Sequence, residues 1–98
     1  MHLRWLTEAL EELENILDQA GSRNPLEASN IAHRVERTTQ NILNFPKAAL
    51  YNAAGDYFER YVPKTRIILV YRIKDQEVIV IAAFHTSREP MTKPTSRR

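Results

Sequence analysis

His85 and the arginines Arg60, Arg66, Arg72 and Arg88 are the side chains of this chain best suited to handling phosphate. An imidazole titrates near neutrality, and guanidinium groups offer forked donors that match phosphate oxygens. Chemistry on a phosphate ester needs a group that gives and takes protons and cations for the charge that develops. His85 supplies the proton-transfer group and the arginines the cations. The structural alternative assigns the same residues to ordinary work, with His85 hydrogen-bonded at a strand end and the arginines as solubilising charges on a sheet face. A second set, Tyr51, Tyr57, Phe58 and Tyr61, has the chemistry to stack on bases or to anchor a protein partner. It reads equally well as one loop aromatic followed by alternating strand residues, with Phe58 turned to the core. His2, His33 and His85 are too scattered for a metal site, and the chain has no cysteine. Disulfide frameworks, zinc fingers, iron–sulfur clusters and thiol catalysis are excluded, and no metal or cofactor is called for.

The elements that must position these groups follow from periodicity. His2 to Leu6 alternates and contains Trp5, which reads as a short strand. Thr7 is the expected N-cap of a first helix, with Glu8, Glu11 and Glu12 near its positive end. Leu10, Leu13, Ile16, Leu17 and Ala20 form its apolar stripe, and Gly21 is expected to close it. Its outer acids Glu8, Glu11, Glu12, Glu14 and Asp18 read as a solvated face. Asn24-Pro25-Leu26-Glu27 supplies an N-cap, a proline at the first position and an acid in the first turn for a second helix. Ala28, Ile31, Ala32, Val35, Ile42 and Leu43 continue that helix until Phe45-Pro46 ends it. Arg34 and Arg37, with Glu27 and Glu36, read as its surface charges.

Residues 45–56 show no period and read as a loop. Tyr57–Val62 is expected as a short strand, and Arg66–Ile73 with Glu77–His85 as an antiparallel hairpin across Lys74-Asp75-Gln76. The predicted fold is α+β in two layers, an N-terminal strand and an αα-hairpin packed on an antiparallel sheet in the order β-α-α-β-β-β. Alternation places Ile67, Leu69, Tyr71 and Ile73 under the helices. Arg66, Ile68, Val70 and Arg72 then lie on a face expected to be open.

At 98 residues and 11.4 kDa the chain has room for one core and little for a cofactor cleft. No apolar stretch approaches the roughly 18 residues that span a bilayer, and the N-terminus lacks a signal-peptide pattern, so a cytoplasmic protein without membrane contact is expected. The net charge of +2 hides an asymmetry. Residues 1–56 carry 5 basic and 8 acidic side chains, and residues 57–98 carry 9 and 4. The second half is therefore the one to attract acidic partners or polyanions. Residues 91–98 are polar, carry Lys93, Arg97 and Arg98, and read as a mobile basic tail behind a domain of residues 1–90.

In element order and local strings the chain resembles the ParE/RelE family of bacterial type II toxins. The resemblance runs over residues 2–90. It is carried by Leu3-Arg4-Trp5 before the first helix, Asn24-Pro25 opening the second and Phe45-Pro46 closing it. It continues in Ile68-Leu69-Val70-Tyr71-Arg72-Ile73 and in Phe84-His85-Thr86-Ser87-Arg88-Glu89-Pro90. It implies a toxin neutralised by direct binding of a cognate antitoxin. Its target would be DNA gyrase in the ParE branch, or ribosome-bound mRNA, cut without a metal, in the RelE branch. The common ParE pattern opens the second strand with Gly-x-Arg, whereas Gly55-Asp56-Tyr57 carries tyrosine there and leaves Arg60 as the nearby cation. Ribonuclease members generally add a C-terminal tyrosine or a lysine cluster on the sheet. Here the last tyrosine is Tyr71, and Lys47 and Lys64 fall in loops.

Gyrase inhibition is accordingly expected ahead of mRNA cleavage. A non-toxic interaction protein of the same fold is the third reading. Target or antitoxin contacts are expected at Arg60, Arg66, Arg72, Tyr57, Tyr61 and Arg88. A ribonuclease would use His85, Arg66, Arg88 and Arg60.

Overall fold

In the computed structural model, which describes residues 1–86, the chain runs β1 (His2–Trp5), α1 (Thr7–Arg23), α2 (Pro25–Asn44), β2 (Leu50–Asn52), β3 (Tyr57–Tyr61), β4 (Ile67–Lys74) and β5 (Glu77–His85). The Leu6 N–H donates to the Val80 carbonyl at 2.9 Å, which prolongs the extended ladder by one residue. Leu6 therefore takes the N-cap position without a side-chain bond, and Thr7, expected there, is already helical. Gly21 is no terminator either, because α1 continues to Arg23 and the glycine keeps a negative φ. A β-carbon on Gly21 would meet Ala28 Cβ at 3.5 Å, ordinary contact between the two helices.

Asn24 is the whole connection between the helices. Its N–H donates to Ala20 O at 2.9 Å, closing α1, and its Oδ1 accepts from Leu26 N–H at 3.0 Å, opening α2 behind Pro25. One residue caps both ends, so the helices must fold back on each other. None of the helices described is long and apolar enough to cross a membrane.

The sheet is five-stranded, in the order β1-β5-β4-β3-β2. Two of its features correct the expected topology. β1 pairs parallel with β5, so the sheet is mixed rather than antiparallel throughout. The helical hairpin returns the chain across the sheet before the meander starts, and the meander brings β5 back alongside β1 in the same direction. β2 lies within the segment read as a loop and pairs antiparallel with β3. Its three residues, Leu-Tyr-Asn, are too few to show a period.

Both faces of the sheet are apolar. Ile67, Leu69, Tyr71, Val78, Val80 and Ala83 join Ala9, Leu13, Ile16, Val35 and Ile42 beneath the helices, as alternation predicts for β4. The opposite face, expected to be open, carries a second buried cluster of Tyr57, Ile68, Val70, Ile79, Ile81, Ala82 and Phe84. Each of these is at most 9% exposed. Continuous Ile/Val runs such as those of β4 and β5 belong to strands buried on both sides, where alternation of polar and apolar residues disappears.

Register explains the composition of the two clusters. Val70 pairs with Ala82 while Tyr71 pairs with Val80, so Ile81 is an extra residue in β5. This bulge puts the consecutive residues Ile81 and Ala82 in one cluster and returns Ala83 to the helix side. The N–H of Ala83 is met from above by Glu12, whose Oε1 accepts it at 3.1 Å. Glu12, expected on the solvated face of α1, is thus a structural acceptor for the irregular strand.

Candidate functional site

The connection between β3 and β4 is built to hold its charged residues outward. Thr65 does most of this: its hydroxyl donates to Val62 O at 2.7 Å and accepts from Ile67 N–H at 3.0 Å. The Val62 N–H closes onto Ile67 O at 2.9 Å, and Lys64 occupies the left-handed region at φ 60°. Lys64 and Arg66 flank the pinned threonine and are both exposed.

Opposite this turn stands the N-terminal half of α2. Between them is a cleft of about 690 Å³ whose lining includes Arg23, Arg34, Lys64, Arg66 and His85. Among the described residues Glu27 is the only acid in its lining, and its carboxylate already accepts from Arg23 Nη2 at 3.2 Å. Among the described residues no carboxylate pairs with Arg34, Lys64 or Arg66. The described residues of the cleft therefore keep three positive charges in excess, with an imidazole at the end of β5 beside them. Such a lining binds anions. His85 and Arg66, singled out in the sequence, do meet here. Arg34 and Lys64 were read as a surface charge and a loop lysine, although Pro63-Lys64-Thr65 directly before Arg66 marks a turn that presents two cations together.

Other sequence candidates lie elsewhere. Tyr61, 55% exposed, lines a neighbouring groove of about 390 Å³ with Arg34, Arg37 and Arg60. Arg60 is engaged in structure. Its Nη1 donates to Asn41 Oδ1 at 2.6 Å and its Nη2 to Phe45 O at 3.2 Å, tying β3 to the carbonyl end of α2. Beneath it the Tyr71 hydroxyl donates to Pro46 O at 2.7 Å. Burial raises the Tyr71 pKa, and the neighbouring Arg60 guanidinium partly offsets the rise. Phe58 stacks on Tyr71 with centroids 5.4 Å apart, while Tyr51 tilts onto Phe58 at 4.8 Å. The Tyr51 hydroxyl donates to Asp56 Oδ1 at 2.8 Å, a bond that raises its pKa.

Arg72 likewise serves the scaffold, its Nε donating to Asp56 O and its Nη2 to Gly55 O, both at 3.1 Å. The Gly55 N–H in turn donates to Asn52 Oδ1 at 2.9 Å, so this arginine closes a turn that is already ordered. The expected pair of arginines bracketing an open surface is therefore corrected: Arg66 is exposed, Arg72 is bonded to a turn, and the residues between them are buried. Tyr57 is fully buried and offers a partner no surface. Its hydroxyl has no hydrogen-bond partner among the described residues. Arg88 and the tail 91–98 lie outside the described residues.

The ribonuclease set is thus divided: His85 and Arg66 share a cleft, while Arg60 caps α2 one groove away. No group of three or more His, Asp or Glu side chains capable of holding a metal ion occurs among the described residues.

Comparison with known proteins agrees with this architecture. No curated protein matches the chain. A solved structure of the chromosomal ParDE toxin–antitoxin system from P. aeruginosa superimposes with a TM-score of 0.75 over 87% of this chain and 95% of that one. At 14% identity the likeness is one of fold. Residues 3–90 match the family model described as ParE toxin of type II toxin–antitoxin system, parDE. With nearly all of its length matched, the chain belongs to the ParE toxin family of type II toxin–antitoxin systems.

Proposed function

We propose that this protein inhibits DNA gyrase and is held inactive by a cognate antitoxin. Membership of the ParE family over residues 3–90 carries the reading. The dispersal of the nuclease candidates supports it, since Arg60 is bonded to Asn41 and Phe45 and does not line the cleft that holds His85. A disordered acidic segment of the antitoxin would find the cation Arg37 and the exposed aromatic anchor Tyr61 in the groove between α2 and β3. Arg88 remains a proposed contact.

The test is a supercoiling assay with purified gyrase, run alongside induced expression in cells. The wild-type chain inhibits supercoiling and arrests growth, and addition of the neighbouring reading frame's product relieves both. His85→Ala stays toxic, because a histidine outside a chemical step contributes nothing to its rate.

The proximity of His85 to Arg66 favours one second reading, a ribosome-dependent mRNA endonuclease. It prevails if the wild type cuts ribosome-bound mRNA and His85→Ala lowers the cutting by the roughly 10²- to 10⁴-fold expected for a general acid or base. Absence of both activities leaves the interaction protein.

A further inference from the structure

We propose that the cleft between α2 and the β3–β4 turn is a binding site for the phosphate backbone of double-stranded DNA, with Arg34, Lys64 and Arg66 as the phosphate-neutralising residues. The proposal deepens the gyrase reading and rests on it for its setting, since gyrase holds DNA while it acts.

The first argument is charge that the fold leaves unspent. Arg4 pairs with Glu77 at 3.3 Å, Arg23 with Glu27 at 3.2 Å, and Arg60 and Arg72 donate to side-chain or carbonyl oxygens. Arg34, Lys64 and Arg66 converge on one cleft with no described carboxylate to answer them. Holding three like charges together without compensation opposes folding, so the arrangement suits an external anion.

The second argument is the rest of the lining. Asn24 and Asn30 add polar groups to the cleft. Of its apolar residues, Ile67 is completely buried and Leu26 stands on the rim at 66% exposure, leaving Ile31 as the half-buried apolar floor. A peptide that folds on binding draws its affinity from apolar anchors seated in pockets. This cleft has few such seats and many donors, the balance expected for a backbone of phosphates and sugars.

The third argument is rigidity. The backbone of Lys64 and Arg66 is held on either side of Thr65, whose hydroxyl is bonded in both directions, and Arg34 projects from the middle of a 20-residue helix. Cations held on such supports need little ordering when they meet successive phosphates.

Fluorescence anisotropy of a short labelled duplex with the full chain, from 50 to 200 mM salt, tests the site. Three phosphate contacts contribute about −2.7 to the slope of log K against log salt, roughly a 40-fold loss of affinity over that range. Arg34→Ala/Lys64→Ala/Arg66→Ala removes that contribution. The control Arg4→Ala/Lys74→Ala lowers the charge at the opposite end of the sheet and leaves most of the slope in place. Lys64→Gln/Arg66→Gln changes only exposed side chains and reduces the slope by about 1.8 should the triple variant fail to fold.

Unchanged binding in the folded variants overturns the site. So does tighter binding of a single-stranded RNA of equal length, or of an acidic peptide, than of the duplex. Supercoiling inhibition by the same proteins separates the two levels. Inhibition by the wild type with DNA affinity intact in the variants defeats the cleft alone. DNA binding through these cations without inhibition defeats the gyrase reading and leaves the cleft.

Discussion

Arg66 and Arg72 stand at opposite ends of one apolar strand, on the face that simple alternation assigns to both, yet the structure uses them in opposite ways. Arg72 finds the carbonyls of Gly55 and Asp56 within 3.1 Å and becomes part of the β2–β3 turn. Arg66 faces a turn whose polar groups are already satisfied by Thr65, and its guanidinium is left to the cleft. The number of unsatisfied acceptors within reach decides the role, and residue type does not. Arg60 repeats the rule at the end of α2, where the carbonyl of Phe45 was available.

Breaking the comparison gives the largest expected effect. Arg72→Ala removes donors to two turn carbonyls and is predicted to cost about 1.5–3 kcal/mol, the range for hydrogen bonds to charged groups. Arg72→Lys recovers only part of it, since an ammonium cannot reproduce the forked geometry. Arg66→Ala is predicted to stay within about 0.5 kcal/mol of wild type, as for an exposed side chain outside the packing. Urea midpoints at unchanged m-value measure all three. Equal losses for Arg66→Ala and Arg72→Ala would remove the distinction between scaffold and cleft.

A second contrast sharpens the same rule within α1, where Glu12 and Glu14 were expected to be alike. Glu12 accepts the N–H of Ala83 beside the β5 bulge, whereas Glu14 is exposed. Glu12→Ala strands a donor on a residue with no solvent exposure and is predicted to cost about 1–3 kcal/mol. Glu12→Gln keeps an acceptor oxygen and recovers most of that loss, while Glu14→Ala stays within about 0.5 kcal/mol. Amide exchange at Ala83 supplies the local readout: protection lost in Glu12→Ala and kept in Glu14→Ala places the effect at the bulge.

These cases show what could be read from the residues and what could not. The two helices, the hairpin of β4 with β5 and the helix-facing set Ile67, Leu69 and Tyr71 follow from periods of 3.6 and 2 repeated over enough residues to be distinctive. The Asn24-Pro25 helix start is equally local. β2 escaped because three residues carry no period, and the parallel pairing of β1 with β5 because the partner is more than seventy residues away. The bulge at Ile81 escaped because it shifts register inside a run where every residue is apolar on either face. Of the site, Arg66 and His85 were legible as chemistry. Arg34 and Lys64 were seen but not joined to them, since only the fold of α2 against the β3–β4 turn puts the four in one cleft. The reassignment of Arg60 and Arg72 depended on carbonyls in turns whose course no local pattern specified.

The smallest effect is expected at Tyr71, where the same competition for acceptors is tuned by pH. Its hydroxyl donates to Pro46 O and anchors the segment after α2 to the sheet, with Arg60 above it bonded to Phe45. Tyr71→Phe keeps the stacking on Phe58 and loses only this bond, at about 1 kcal/mol near neutral pH. Burial raises the tyrosine pKa in the folded chain above its unfolded value near 10, so both states hold the proton below that pH and the contribution is constant there. As pH climbs past 10 the unfolded chain releases the proton first, fewer protons are bound in the unfolded state, and stability falls. Tyr71→Phe cannot release that proton, so its stability curve flattens relative to wild type above pH 10. The gap between the two proteins therefore narrows as pH rises. Tyr51→Phe, at an exposed ring bonded to Asp56, serves as the reference for the other tyrosine with a raised pKa. Urea unfolding of the three proteins at pH 8 and pH 11 measures the gap; one that stays constant would mean that Tyr71 titrates alike in both states and that its hydroxyl is open to water.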